Sequence, residues 1–174
     1  MQTVELLVKL KIPDVTALTA AGALRRRMGF EGVLTSLTRA DYYRLELAVD
    51  TPEEALALAR DLAENTNVFV NPNKHVYEVR TGTQAAAQDG SGRRAAVLVT
   101  DPLDGSAQGA LSALQGRLGY GGRVSGLLKG VLWTLELACE NDAEARRLAE
   151  EIAVTRSREQ GLLLNPHFQE CEIR

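Results

Sequence analysis

Displacing the sequence by 90 residues lays one half of the chain on the other. Ala23-Leu24 falls on Ala113-Leu114, Met28-Gly29-Phe30 on Leu118-Gly119-Tyr120, and Leu45-Glu46-Leu47-Ala48 on Leu135-Glu136-Leu137-Ala138. Glu54-Ala55 meets Glu144-Ala145, and Leu58-Ala59 meets Leu148-Ala149. A four-residue insertion in the second half then moves the offset to 94, where Asn71-Pro72 meets Asn165-Pro166 and Tyr77-Glu78-Val79-Arg80 meets Cys171-Glu172-Ile173-Arg174. So many ordered matches with a single gap read as two divergent copies of one module, residues 1–80 and 94–174. The fold is thereby limited to what one copy of about eighty residues can build.

Between the copies, residues 81–93 are small, polar and glycine-bearing, with no apolar period, and read as a flexible linker. A dozen flexible residues span roughly 20 Å on average, enough for one module to dock on the other.

Each copy changes periodicity in the same order. Val4, Leu6, Val8 and Leu10 alternate with polar residues, the signature of a half-buried strand. Ala17, Ala20, Ala21, Leu24 and Met28 then recur at helical spacing, matched by Ala107, Ala110, Leu111, Leu114 and Leu118, and Gly29 and Gly119 stand where C-cap glycines belong. Arg25, Arg26 and Arg27 complement the helix dipole and are either a solvated helix end or a docking patch. A strand pair follows: Val33 to Arg39 leads through Ala40-Asp41 into Tyr42 to Val49, with Tyr43, Leu45, Leu47 and Val49 on one face. Trp133, Leu135, Leu137 and Cys139 form the matching face.

Thr51-Pro52-Glu53-Glu54 spells a capping box with proline at the first helical position, and Asn141-Asp142-Ala143-Glu144 offers the same device. Behind them run the stripes Ala55, Leu58, Ala59, Leu62 and Ala145, Leu148, Ala149, Ile152. A turn at Asn71-Pro72 or Asn165-Pro166 delivers a last strand. The order β-α-β-β-α-β, twice, predicts an α+β chain of two tandem ferredoxin-like modules with helices on one face of antiparallel sheets. The other sheet face would carry Leu7, Val33 or Leu34, and Val97 or Val99, so pairing of the copies as a pseudo-dimer is expected.

Chemistry is sparse. His75 and His167 do not align in the repeat, and Cys139 and Cys171 sit at inward strand positions. They read as small core residues rather than nucleophiles or metal ligands. No P-loop occurs, and Gly119-Tyr120-Gly121-Gly122 follows a helix, the wrong context for a dinucleotide fingerprint. Twenty basic residues against 23 acidic ones give no nucleic-acid or polybasic signature. Charges in the first twenty residues exclude a signal-peptide core, and no apolar run reaches the roughly 20 residues of a membrane span. A cytoplasmic protein with no catalytic residues, cofactor or metal of its own is expected. The repeated turns are then candidates for either rigid turns or partner contacts.

The order apolar strand, helix ending in Leu-Gly-Tyr or its equivalent, strands, acidic capped helix and Leu-x-Asn-Pro before a last strand resembles the PurS family. That family is the small subunit of phosphoribosylformylglycinamidine synthase in purine biosynthesis. The resemblance rests on Met28-Gly29-Phe30 with Val70-Asn71-Pro72, and on Leu118-Gly119-Tyr120 with Leu164-Asn165-Pro166. Family members are usually a single module, and their Asp-Pro-Gln-Gly before the first helix is broken here: Ile12-Pro13-Asp14-Val15 stands in one copy, and Asp101-Pro102 is parted from Gln108-Gly109 in the other. The resemblance implies a scaffold that bridges a glutaminase subunit and a large ATP-using synthetase subunit so that ammonia passes between them. It implies a ligase subunit, with one tandem chain equal to a family dimer and a homodimer of chains equal to a family tetramer. Asn71, Pro72, Asn165, Pro166, Arg25 and Arg26 are the candidate partner contacts. The alternative is a tandem ACT-like regulatory module binding an amino acid, against which stands Ile12-Pro13-Asp14, a first loop without glycine.

Overall fold

The caps set the helix boundaries. In a computed structural model that describes residues 1–82, 93–157 and 160–174, α1 (Val15–Met28) begins on Asp14, whose carboxylate accepts the Thr16 and Ala17 amides, and ends on Gly29 at φ 80°. Only glycine adopts that left-handed conformation without a Cβ penalty. The expected capping box opens α2 (Pro52–Asn65): Thr51 accepts the Glu54 amide and Glu54 reaches back to the cap backbone. Asn141 accepts the Glu144 amide at the head of α4 (Asp142–Ala153). α3 (Ser106–Gln115) stops at Gly116, one turn short of the expected stripe, so that Leu118 lies in the following turn. Gly119 still takes φ 78°, as Gly29 does.

The strands are β1 (Gln2–Leu10), β2 (Leu34–Leu47), β3 (His75–Thr81), β4 (Arg93–Thr100), β5 (Val124–Leu137) and β6 (Glu170–Ile173). They form a six-stranded antiparallel sheet in the order β3-β1-β2-β5-β4-β6. The expected strand pair is one continuous strand in each half, which corrects β-α-β-β-α-β to β-α-β-α-β. The reason lies at Ala40-Asp41. A two-residue hairpin turn needs positive φ at one or both central residues, and neither residue adopts it. In the second half, Gly130 does not use its freedom to do so either. Of the expected linker, Thr81 closes β3 and Arg93 opens β4, while residues 83–92 lie outside the described residues.

Two compact units result, and each draws on both halves of the chain. The first contains β1, β2 from Ala40 onward, α2, β3, α3 and β5 as far as Gly130. Its helix-side core joins Val4, Leu6, Leu45, Leu58 and Leu62 to Leu114 and Val124. Inside it β2 meets β5 where the Ala48 amide donates to the Arg123 carbonyl at 2.9 Å. On the other sheet face Leu7 is buried, and Tyr42 donates at 2.7 Å to Glu5.

The second unit contains α1, β2 as far as Arg39, β4, β5 from Val131, α4 and β6. Its core joins Ala17, Ala21, Leu24 and Leu34 to Val97, Val99, Leu135, Ala149 and Ile152. The Ala138 amide donates to the Val33 carbonyl at 2.8 Å, which ties β5 to the start of β2. Leu34, Val97 and Val99, expected as candidates for the open sheet face, therefore belong to the helix-covered core, and Val33 packs against it. The stripes of α2 and α4 are buried as expected, and Cys139 and Cys171 are half-buried against this core. Each unit thus has four strands and two helices, an α+β arrangement consistent with a ferredoxin-like module, with one helix and one strand supplied from the other half of the chain.

Candidate functional site

Both Asn-Pro turns close in the same way. The Asn71 side chain accepts the Asn73 amide at 3.0 Å, its carbonyl accepts the Lys74 and His75 amides, and its own amide donates to His75 Nδ1 at 3.2 Å. At the second turn Asn165 accepts the His167 amide at 3.0 Å, its carbonyl accepts Phe168 and Gln169, and its amide donates to Gln169 Oε1 at 2.9 Å. An asparagine that bonds the backbone two residues on is a self-contained turn former. His75 accepts through Nδ1 and so has a structural task in the turn. Pro72 and Pro166 are exposed at the two tips. Lys11 donates to the Pro72 carbonyl at 2.6 Å, whereas the second tip presents exposed Phe168, its ring 6.4 Å from that of His167.

Arg25 and Arg26 separate in role. Arg25 donates from Nε to the Leu34 carbonyl at 2.7 Å and from Nη2 to the Thr35 carbonyl, so it ties the last turn of α1 to the head of β2. Gln115 does the same for α3 and β5, donating to the Val124 carbonyl at 2.9 Å. Arg26 is exposed and donates to the Gly22 carbonyl of its own helix at 3.3 Å.

Ser106, Asp104 and Lys129 form a polar cluster at the head of α3: Lys129 donates to Ser106 Oγ at 2.8 Å, and the Ser106 amide and hydroxyl both donate to Asp104. Asp104 is held below the usual carboxylate range, first by the Ser106 hydroxyl. The counterpart at the head of α1 is Asp14, paired with Arg39 at 3.0 Å while capping the helix. In both places an acidic residue ahead of the helix pairs with a basic strand residue, but only Asp14 is the helix cap, since α3 begins on Gly105 without a side-chain cap. Burial pushes both thiols up, Cys139 and Cys171 alike, away from the thiolate a nucleophile requires. Among the described residues no three His, Cys, Asp or Glu side chains are grouped to hold a metal, and no helix is long and apolar enough to cross a membrane.

A cleft of about 450 Å3 lies in the second unit, lined by Met28, Phe30, Arg147, Glu150, Glu151, Arg156 and Gln160. One wall is formed by Arg156 and Gln160, in the stretch between α4 and Asn165 that is four residues longer than its counterpart in the first half. After α4, residues 160–164 lie back beside residues 152–157, with a bridge between Ser157 and Gln160 and the Thr155 amide donating to the Leu164 carbonyl at 3.1 Å. Gly161, at φ 72°, makes the return possible, since a Cβ there would overlap the Val154 carbonyl. The charges lining the cleft satisfy one another, Arg147 with Glu151 at 3.2 Å and Arg156 with Glu150 at 3.4 Å. Met28 and Phe30 with neutralised charges around them suit an uncharged or amphipathic group better than a free ion. The first unit fills the corresponding place differently: Tyr120, 90 residues after Phe30, donates at 2.8 Å to Asp61, 90 residues before Glu151. Sequence reasoning missed this cleft, and the insertion was the one signal that marked it.

Comparison with protein-family models, curated proteins and solved structures finds no match to this chain.

Proposed function

We propose that this chain is a non-catalytic small subunit of a phosphoribosylformylglycinamidine synthase complex, a cytoplasmic pseudo-dimer of PurS-like modules. It bridges a glutaminase and an ATP-using synthetase subunit for ammonia transfer in purine biosynthesis. The observation that carries this reading is the pair of Asn-Pro turns, 94 residues apart and closed by the same bonds. They contain the Asn-Pro residues on which part of the family resemblance rests. Their tips have diverged, one basic at Lys11 and Lys74, the other aromatic at Phe168. Divergent tips on matching turns suit a scaffold that contacts two different partners. Reconstitution with glutaminase and synthetase subunits from the same source tests the proposal. Glutamine-dependent amidine formation should collapse when this chain is left out, and unchanged activity would refute the scaffold role.

The cleft beside Phe30 favours a second reading, a tandem ACT-like module that binds an amino acid or another small ligand, because about 450 Å3 is of small-molecule size. Calorimetric titration with amino acids separates the two: saturable heat at micromolar concentrations supports the regulatory module.

A further inference from the structure

The outer edge of the first unit carries an interaction that does not depend on the synthase reading. We propose that β3 is a docking edge. An extended segment of a partner protein, apolar at alternate positions and acidic at its C-terminal end, adds to it as a further antiparallel strand.

Backbone polarity carries the first step. β3 pairs with β1 in unbroken register from Val4 opposite Thr81 to Leu10 opposite His75, and it is the outermost strand of the order. The Lys11 amide donates to the Lys74 carbonyl at 2.9 Å and so continues that ladder by one pair. Hydrogen-bonded pairs alternate with non-bonded ones in an antiparallel ladder, so Val76, Glu78 and Arg80 turn their amides and carbonyls toward β1. Tyr77 and Val79 turn theirs away, and among the described residues no backbone group meets them there.

Such an edge is a template for another strand unless brevity, proline, a bulge or charge guards it. β3 has seven residues and neither proline nor glycine. Its two charged residues are turned on each other: Arg80 donates to both carboxylate oxygens of Glu78, at 2.6 and 2.9 Å. The pair lies along its own strand and leaves no net charge there to repel a newcomer. β6, the outer strand of the second unit, keeps the same pair, Arg174 with Glu172 at 3.0 Å, but is only four residues long. Brevity guards that edge and not the other.

Charge identifies the occupant. Around the start of β3, Lys9, Lys11 and Lys74 are exposed together with Leu10, Ile12 and Val76, and residues 9–12 and 71–76 contain no carboxylate. Aliphatic and basic groups side by side suit a segment in which apolar residues lead into acidic ones. Antiparallel addition, the more stable mode, sets the C-terminal end of the newcomer beside these lysines. Two copies of β3 paired along their length would set the lysines of one against Thr81 and Gly82 of the other, which offer no carboxylate.

The probe is a fluorescein-labelled peptide of alternating valine and threonine that ends in a run of glutamates, titrated into the full chain and followed by anisotropy. It should bind saturably, and Lys9→Ala with Lys74→Ala should weaken it about fivefold. The same peptide ending in lysines should not bind. In the chain alone the amides of Tyr77 and Val79 should exchange with solvent far faster than those of Glu78 and Arg80, and the peptide should slow them. N-methyl groups on one alternate set of peptide amides should abolish binding, whereas those on the other set should leave it intact. Absence of saturable binding would overturn the proposal. So would binding that left exchange at Tyr77 and Val79 unchanged or that tolerated both N-methyl sets. Slow exchange at these two amides without peptide, deepening with protein concentration, would give the edge to a second copy of the chain and overturn it too.

Discussion

The Tyr120 hydroxyl donates to Asp61 Oδ2 at 2.8 Å across 59 residues of sequence, and this bond fastens a segment of the second half to the second helix of the first. Asp61 also accepts from Asn65 at 2.8 Å, so its carboxylate is engaged on both oxygens. The Asn65 bond first and the Tyr120 bond second lower the Asp61 pKa below 3.8, while the bond to Asp61 raises Tyr120 above 10.0.

Tyr120→Phe should therefore destabilise the protein by about 1 kcal/mol, the low end for a bond to a charged group because the pair is open to water. The pH dependence has two limbs. A carboxylate whose folded pKa is depressed contributes above its unfolded value, and the contribution is lost as pH falls through the folded one. A phenol whose folded pKa is raised contributes below 10.0, and that is lost as pH rises through the folded value. Urea midpoints for the wild type and Tyr120→Phe should thus differ between about pH 4 and pH 10 and converge at both extremes. A gap constant down to pH 2 would assign the effect to packing instead.

Arg25 and Arg26 should part in a stability assay. Arg25→Ala removes two bonds to the carbonyls of Leu34 and Thr35 and should cost about 1–3 kcal/mol. Arg26→Ala should fall within about 0.5 kcal/mol of wild type. Arg25→Gln should recover part of the loss, because Gln115 already performs this task with a shorter side chain. If Arg25→Ala left stability unchanged but abolished binding to a partner subunit, the residue would be a docking contact.

Two glycines with nearly the same φ should respond differently to alanine. Gly29 at 80° has open space around a new Cβ, so Gly29→Ala should cost only the left-handed strain, about 1 kcal/mol. Gly161 at 72° would drive its Cβ into the Val154 carbonyl, so Gly161→Ala must also break the return of the chain after α4. Thermal melts should show the larger loss for Gly161→Ala. Amide exchange should speed up at Leu162 and Leu163, whose amides donate to Ile152 and Ala153.

Much of the local structure is legible in the sequence, because caps and periodicity are local signals. Thr51-Pro52-Glu53-Glu54 states both the start of α2 and its cap, and Leu58 and Leu62 state its buried face. Asn71 and Asn165 announce turns whose bonding follows from the asparagine side chain itself. The continuity of β2 is harder to read. Its burial runs Leu34, Leu37, Ala40, Tyr42, Leu45, Leu47, a mixture of spacings of three and two rather than a steady alternation, which mimics a break between strands. The absence of glycine or asparagine at Ala40-Asp41 was the contrary sign. The assignment of helices to sheets was not legible at all. Two halves of the chain with similar apolar stripes offer two acceptable grooves to each helix, and hydrophobic pattern does not distinguish them. Turn geometry and single differences such as Phe30 against Tyr120 make the distinction, and those act only once the segments meet.

That exchange gives two leucines crossed consequences. Leu24 and Leu114 occupy matching places in α1 and α3, and each is fully buried. Truncation to alanine should cost about 2–5 kcal/mol at either site. If helices served the half of the chain in which they are encoded, Leu24→Ala would loosen β1, α2 and β3. In the observed units it should instead strip exchange protection from β4, α4 and β6, because Leu24 packs in the core with Val97, Ile152 and Trp133. Leu114→Ala should do the reverse, exposing β1, α2 and β3 while sparing β6. Trp133, the only tryptophan, supplies an independent readout: its emission should shift red at lower urea in Leu24→Ala than in Leu114→Ala. Native-state hydrogen exchange that followed sequence proximity rather than this crossed pattern would place each helix back on its own sheet.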